Sequence, residues 1–224
     1  MEKRAPHRCV SSYFGRRAFL RSAAGLTAGA LLPLQSGAQV AGVRELSGNV
    51  LVNGRDVSVS TPIRAGDTLY ATRGASLWFT VGGDAFFLRG ETELRLEPAR
   101  VGETAINALR LLTGALGATF ARGARRSVIA PTATIGIRGT GVYVEARRDE
   151  TYACTCFGST EIMTPEDRMM ERVPVTTVHH LARRIPRQGA HVEAPFERHT
   201  SEEMTRLERY AGRPDPFTGG TTPG

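Results

Sequence analysis

The chain has one lysine, one tryptophan and three cysteines in 224 residues. Each scarcity excludes something. Cys9 sits in the amino-terminal segment, which leaves Cys154 and Cys156; two thiols do not make the disulfide framework of a small secreted domain. No apolar run reaches the roughly 20 residues of an ordinary membrane helix. A Gly-x-Ser-x-Gly elbow, a P-loop and a His-Glu-x-x-His helix are all missing. Asp84, Glu91, Glu93 and Glu97 are scattered over strands and turns and read as solvated strand faces. No enzyme is expected on these grounds.

What is present begins with an export signal. Residues 1–17 are polar and basic, with Lys3, Arg4, Arg8, Arg16 and Arg17. An apolar run from Ala23 to Leu34 follows and ends near Ser36-Gly37-Ala38, small residues of the kind a signal peptidase reads. Between them stands Arg16-Arg17-Ala18-Phe19-Leu20-Arg21, which resembles the twin-arginine translocation motif through Arg16, Arg17, Phe19 and Leu20. Residues 1–38 are therefore expected to be a twin-arginine signal peptide, and the rest to work in the periplasm without stable membrane insertion.

The signal also explains the charge. The whole chain is +7, but residues 1–38 hold six of the 29 basic residues and one of the 22 acids. The remainder, with 23 arginines and 21 acids, is about +2. A phosphate-binding surface needs a basic stripe on the folded part, so no nucleic-acid partner is expected. The pairs Arg125-Arg126, Arg147-Arg148 and Arg183-Arg184 read as solvated.

From Val43 to Ile162 the hydrophobic period is two. Val50-Leu51-Val52 runs into Asn53-Gly54, a tight hairpin turn. Ser76–Val81, Ala85–Leu88 and Thr92–Glu97 alternate or run apolar, with turn signals about every 8–12 residues. Ala108–Leu112 and Ala115–Phe120 read as two strands around Gly114. The fold class is all-β: a single domain of short antiparallel strands over 43–163, a sandwich or β-roll. Residues 164–217, with Pro165, Pro174, Pro186 and Pro195, read as a loop-rich extension. Thr200-Ser201-Glu202-Glu203 has capping-box spacing and predicts one short helix over about 201–211. Residues 218–224 read as a disordered tail.

In this order the segments resemble the FecR-like periplasmic domain. The resemblance rests on Gly48-Asn49-Val50 with Val52-Asn53-Gly54, on Ile63–Leu69 with Thr72–Ser76, on Leu88–Leu94 with Leu112–Leu116, and above all on Pro131–Val144 around Arg138-Gly139-Thr140-Gly141. It implies an extracytoplasmic module for protein binding and signal transduction, with a protein or cell-envelope component as partner. In the family's regulators a cytoplasmic anti-sigma segment and a membrane helix precede this domain; here the export signal stands in that place. Arg138, with five donors, is expected to tie neighbouring strands through carbonyls or a carboxylate, so that Arg138→Ala would strongly destabilise the domain. A partner-contacting role for the same turn is the other reading.

One group of residues carries chemistry. Cys154-Thr155-Cys156 lies on a predicted strand, so both sulfurs project from one face. A disulfide across one residue is strained. No motif demands a cofactor, but a thiolate pair is half a site for Zn(II) or a copper ion. His179-His180 is the obvious source of further ligands, with His191 and His199 beyond. Neighbouring side chains on extended chain point opposite ways, so one of His179 and His180 is expected to join the sulfurs. A redox-active pair and two plain buried thiols are the alternatives.

Overall fold

The computed structural model describes residues 42–123, 125–164 and 173–218. The export motif at Arg16, Arg17, Phe19 and Leu20 and residues 219–224 of the tail lie outside them. Chain order runs through β1 (Gly42–Ser47), β2 (Val50–Val52), β3 (Arg55–Asp56), β4 (Thr68–Ala71), β5 (Ser76–Val81), β6 (Asp84–Leu88) and β7 (Thr92–Pro98). It continues through β8 (Ile106–Thr119), β9 (Arg125–Ile129), β10 (Thr134–Ala146) and β11 (Glu150–Met163). It ends with β12 (Val173–Thr177), β13 (Leu181–Pro186), β14 (Val192–Ala194) and the helix α1 (Ser201–Tyr210).

The strands form one hydrogen-bonded sheet in the order β14-β13-β11-β10-β9-β8-β7-β4-β2-β3, with β1-β5-β6 branching from β8 and β12 from β11. The pairings are antiparallel except for a short parallel stretch between β8 and β9. Local chemistry places the turns. Asn53 and Gly54 both take positive φ, 52° and 76°, between β2 and β3, as a two-residue hairpin requires.

The sheet is covered on both faces, and strand alternation decides which side chain goes where. Leu77 and Phe79 of β5, Phe86 and Leu88 of β6, and Val142 and Val144 of β10 enter the main core. Their neighbours Trp78, Phe87 and Tyr143 point the other way, into a second cluster with Met204, Leu207 and Ala211. Phe79 stacks on Phe86 at 4.9 Å. Each such fully buried side chain contributes about 1.5–3 kcal/mol relative to exposure. α1 supplies the cover for the second face. Thr200 caps it as expected: its hydroxyl accepts from the Glu203 N–H, and Glu203 reaches back to the Thr200 N–H.

Four expectations change. The two strands around Gly114 are one continuous strand, β8. Gly114 bends it at φ 84°, and a Cβ there would come within 2.4 Å of the Thr92 Cα. The segment read as loop-rich also carries β12, β13 and β14, which extend the same sheet. Its prolines concealed them: Pro174 stands on β12, which pairs with β11 alone, and Pro186 ends β13, positions where a missing N–H is tolerated. Asp84 is no solvated face. It is buried, accepts from the Ala121 N–H, and pairs with Arg126 at 3.2 Å, so Arg126 is not simply solvated either. Burial raises its carboxyl pKa, against the pull of the Ala121 amide and Arg126.

The fourth concerns how much Arg138 holds: it ties β10 to a carboxylate of β11, as expected, but at the exposed surface of the signature segment. The register shifts between Arg138 and Gly141, which makes it a bulge. Gly139 has φ 58° and lies against the Arg122 backbone, while a Cβ on Gly141 would enter the Phe157 ring. The glycines, not Arg138, fit this turn into place. The Arg138 side chain is half exposed and pairs with Glu161 at 2.6 Å. Such a pair contributes about 1 kcal/mol or less. We therefore expect Arg138→Ala to shift the urea midpoint only slightly. Gly114→Ala should cost roughly 2–4 kcal/mol, from left-handed strain and overpacking, and a midpoint unchanged by it would contradict the bend described for β8.

Candidate metal centre

β11 carries Cys154 and Cys156 on the face turned away from the main core, both essentially inaccessible and both free thiols. The antiparallel β13 brings the β12–β13 turn alongside, where the His180 N–H donates to the Cys156 carbonyl. The segment before α1 crosses the same face and carries His199. One ligand atom from each of Cys154, Cys156, His180 and His199 can be chosen so that all four lie within 4.8 Å of one another.

Two of the sulfur–nitrogen separations fall in the range of a tetrahedral shell. His180 Nδ1 lies 3.7 Å from Cys154 Sγ, and His199 Nε2 lies 3.3 Å from Cys156 Sγ. Ligands at about 2.3 Å (S) and 2.0–2.1 Å (N) from a tetrahedral ion stand roughly 3.3–3.8 Å apart. Each imidazole offers one nitrogen to the sulfurs and fixes the other elsewhere. His199 Nδ1 is 3.0 Å from the Glu197 carbonyl oxygen, which can only accept. Nδ1 therefore carries hydrogen, and in the neutral ring the lone pair is on Nε2, facing Cys156. His180 Nε2 is 3.0 Å from Ser201 Oγ, which leaves Nδ1 toward Cys154. This outer arrangement is what metal-binding histidines use to set tautomer and ring orientation.

Aromatic rings wall the centre. His199 stacks on Tyr143 at 4.4 Å, and His180 on Phe196 at 3.8 Å and on Phe217 at 5.1 Å. The His199 loop is held from several sides. The Glu197 N–H donates to Tyr152 Oη, and that hydroxyl faces the Pro195 and Glu197 carbonyls. Arg198 adopts the left-handed region at φ 71°, a costly backbone state for this residue type. Its carbonyl accepts from Arg89, and its guanidinium pairs with Glu145 and Glu197.

The electrostatics separate the two sulfurs. The hydrogen bond from Cys156, with help from His180 and His199 and against burial, pulls the Cys154 thiol down. Burial, then the neighbouring Cys154 thiolate, pushes Cys156 up. Burial also raises the Tyr152 hydroxyl to about 12, so it stays protonated.

Of the predicted ligands, Cys154, Cys156 and His180 come together. His179 does not: it is exposed and stacks on Phe217 at 5.8 Å, across an open groove of about 990 Å³ that also borders Arg138 and Phe157. One of the two adjacent histidines joins the sulfurs, as expected, although the pair lies in the turn between β12 and β13 rather than on extended chain. The fourth member of the cluster is His199, one residue before the helix cap; His191 lies outside the cluster. Its signal in the sequence was adjacency to the Thr200–Glu203 capping box, which ties it to a fixed helix end.

No family model and no curated protein matches this chain. Among solved structures it is similar to two crystal structures, each of a proposed anti-sigma factor from Parabacteroides distasonis. Both give 14% identity and a TM-score of 0.47. The matches cover 57% and 65% of this chain, and 58% and 74% of those chains, so this chain spans under two thirds of the length of the first. The functional argument rests instead on the centre's own geometry.

Tyr152→Phe removes the hydroxyl that holds residues 195–197. A loss of about 1 kcal/mol is expected, the net worth of a partly buried hydrogen-bonded group, read as a lowered midpoint in chemical unfolding.

Proposed function

We propose that this is a non-enzymatic, exported binding and sensing module whose binding centre is a Zn(II) site at Cys154, Cys156, His180 and His199. The single observation that carries the reading is the convergence of two sulfurs and two imidazole nitrogens within 4.8 Å. Two sulfur and two nitrogen donors in a tetrahedral arrangement are typical of zinc. Four protein ligands leave no open position, which suits holding an ion rather than catalysis at it. Charge supports Zn(II) over Cu(I). The carboxylates about the centre are already engaged by arginines, Glu203 by Arg89, Glu197 by Arg184 and Arg198, and Glu145 by Arg147 and Arg198. A divalent ion with two thiolates is neutral, whereas Cu(I) would leave a net negative charge in a desolvated site.

The periplasmic location is part of the proposal and is supported by the twin-arginine motif at Arg16 and Arg17. That route carries folded proteins, so the ion would be held before export. The sensing role, toward a protein or envelope component, is supported by the FecR-like run of residues 43–163.

Elemental analysis of the exported protein, purified without chelators, tests the reading. One equivalent of zinc is expected, with the thiols protected from alkylation. Cys156→Ser and His199→Ala should fall to a small fraction of that, while His179→Ala keeps it. One equivalent of copper would correct the ion but keep the site. No stoichiometric metal, with both thiols fully titratable, would end the proposal.

A further inference from the structure

We propose that occupancy of this centre governs the docking of α1, so that the carboxy-terminal helix is the metal-dependent output of the molecule. The inference rests on the metal-binding reading above. It starts from where the ligands sit in the chain. Two belong to β11, inside the sheet. The other two reach the helix entrance directly: His199 precedes the N-cap Thr200, and His180 bonds the hydroxyl of Ser201, the first helical residue. An ion joining all four would fasten the first turn of α1 to the sheet.

The rest of the helix is fastened at its other end. Arg213 makes two hydrogen bonds to Glu208 at 2.7 Å and also donates to the Gly83 carbonyl and Thr119 Oγ1. This clasp is largely buried. Between the two ends the helix buries Met204 and Leu207 on the sheet, with Ala211 at its cap, while Tyr210 packs partly buried beside them and donates to Glu45. Its remaining ion pairs are partly exposed, Arg89–Glu203 at 42% and 21% and Arg206–Glu45 at 47% and 43%. Pairs of that kind hold little, and a ten-residue helix is too short to persist undocked in water. Without the ion, the amino-terminal turn is tied down by Met204 and by ion pairs that solvent screens, while the Arg213 end stays in place. The geometry points to a helix that opens from its amino end about a hinge near Arg213.

The molecule carries its own reporter. Trp78 is the only tryptophan, and it lies beneath α1, with Tyr210 at 6.2 Å and the Arg206 guanidinium at 5.0 Å. What α1 covers is apolar, including Phe87, Ala115 and Tyr143, so opening changes both the surface and the tryptophan's surroundings.

The experiment compares the zinc-loaded protein with the same protein stripped by dipicolinate and then reloaded with Zn(II) alone. Hydrogen exchange in residues 197–204 is expected to accelerate at least tenfold on stripping, with a red shift of Trp78 emission, and both should reverse on reloading. Amides of β8 and β10 should not change. Ser201→Ala separates coupling from binding: it is not a ligand, so zinc content should hold, while the exchange difference between the two states shrinks. If zinc binds stoichiometrically but its removal changes neither exchange nor emission, the coupling is wrong and the metal site stands. If no metal binds, both readings fall. Global loss of protection in β8 and β10 on stripping would also overturn the inference, because the ion would then support the whole fold.

Discussion

The structure depends on one constraint: a strand presents alternate side chains to opposite faces, and here both faces are buried. Along β11 this sends Ala153 into the main core and Tyr152, Cys154 and Cys156 to the other side. The second face cannot be left to water, because Trp78, Phe87 and Tyr143 of neighbouring strands share it. Something must cover it, and the chain after Pro186 does. The centre exists because the cover crosses the two cysteines, and the cysteines are adjacent on one face because the period is two.

That placement creates an energetic problem as well as a site. His199 is 5% exposed and the two cysteines 1% or less. Buried polar groups need partners, and buried charges need compensation. The protein answers for half of each imidazole through Glu197 and Ser201. The other halves face sulfur, a weak hydrogen-bonding partner. A divalent cation would satisfy both nitrogens and both sulfurs at once. In an oxidising compartment such an ion would compete with a disulfide, which the one-residue spacing already disfavours.

Much of this was legible in residue order, where the interactions are local. Asn53-Gly54, the Thr200–Glu203 capping box and the shared face of Cys154 and Cys156 each follow from a few neighbouring residues. What was not legible depends on distant chain. His199 is 43 residues from Cys156, and nothing in its own neighbourhood names a sulfur partner. The burial of Asp84 is set by Arg126 and the Ala121 amide, on and beside another strand. β12–β14 were hidden because proline reads as loop, although an edge or terminal position accommodates it. Arg138 drew attention as a many-donor residue, yet the turn is shaped by the glycines beside it, whose missing side chains matter only once Arg122 and Phe157 are in place.

The same distinction bears on how the carboxy-terminal segment can act. A helix held by a continuous apolar face would dock whatever its ends did. α1 instead buries only Met204 and Leu207 of its apolar side chains, with Tyr210 partly covered and Ala211 at its cap, and is fixed at two points of different chemistry: an arginine clasp beyond its last turn, and the histidine that precedes its first. The clasp is made within the protein, from Arg213 to Glu208, Gly83 and Thr119, so it needs no ion and is constant. The histidine end is conditional, since its partners are sulfurs whose attraction for it depends on what lies between them. A structure with one constant and one conditional fastening responds at one end only, which is why the ion's natural effect is on the helix rather than on the fourteen-stranded sheet beneath it.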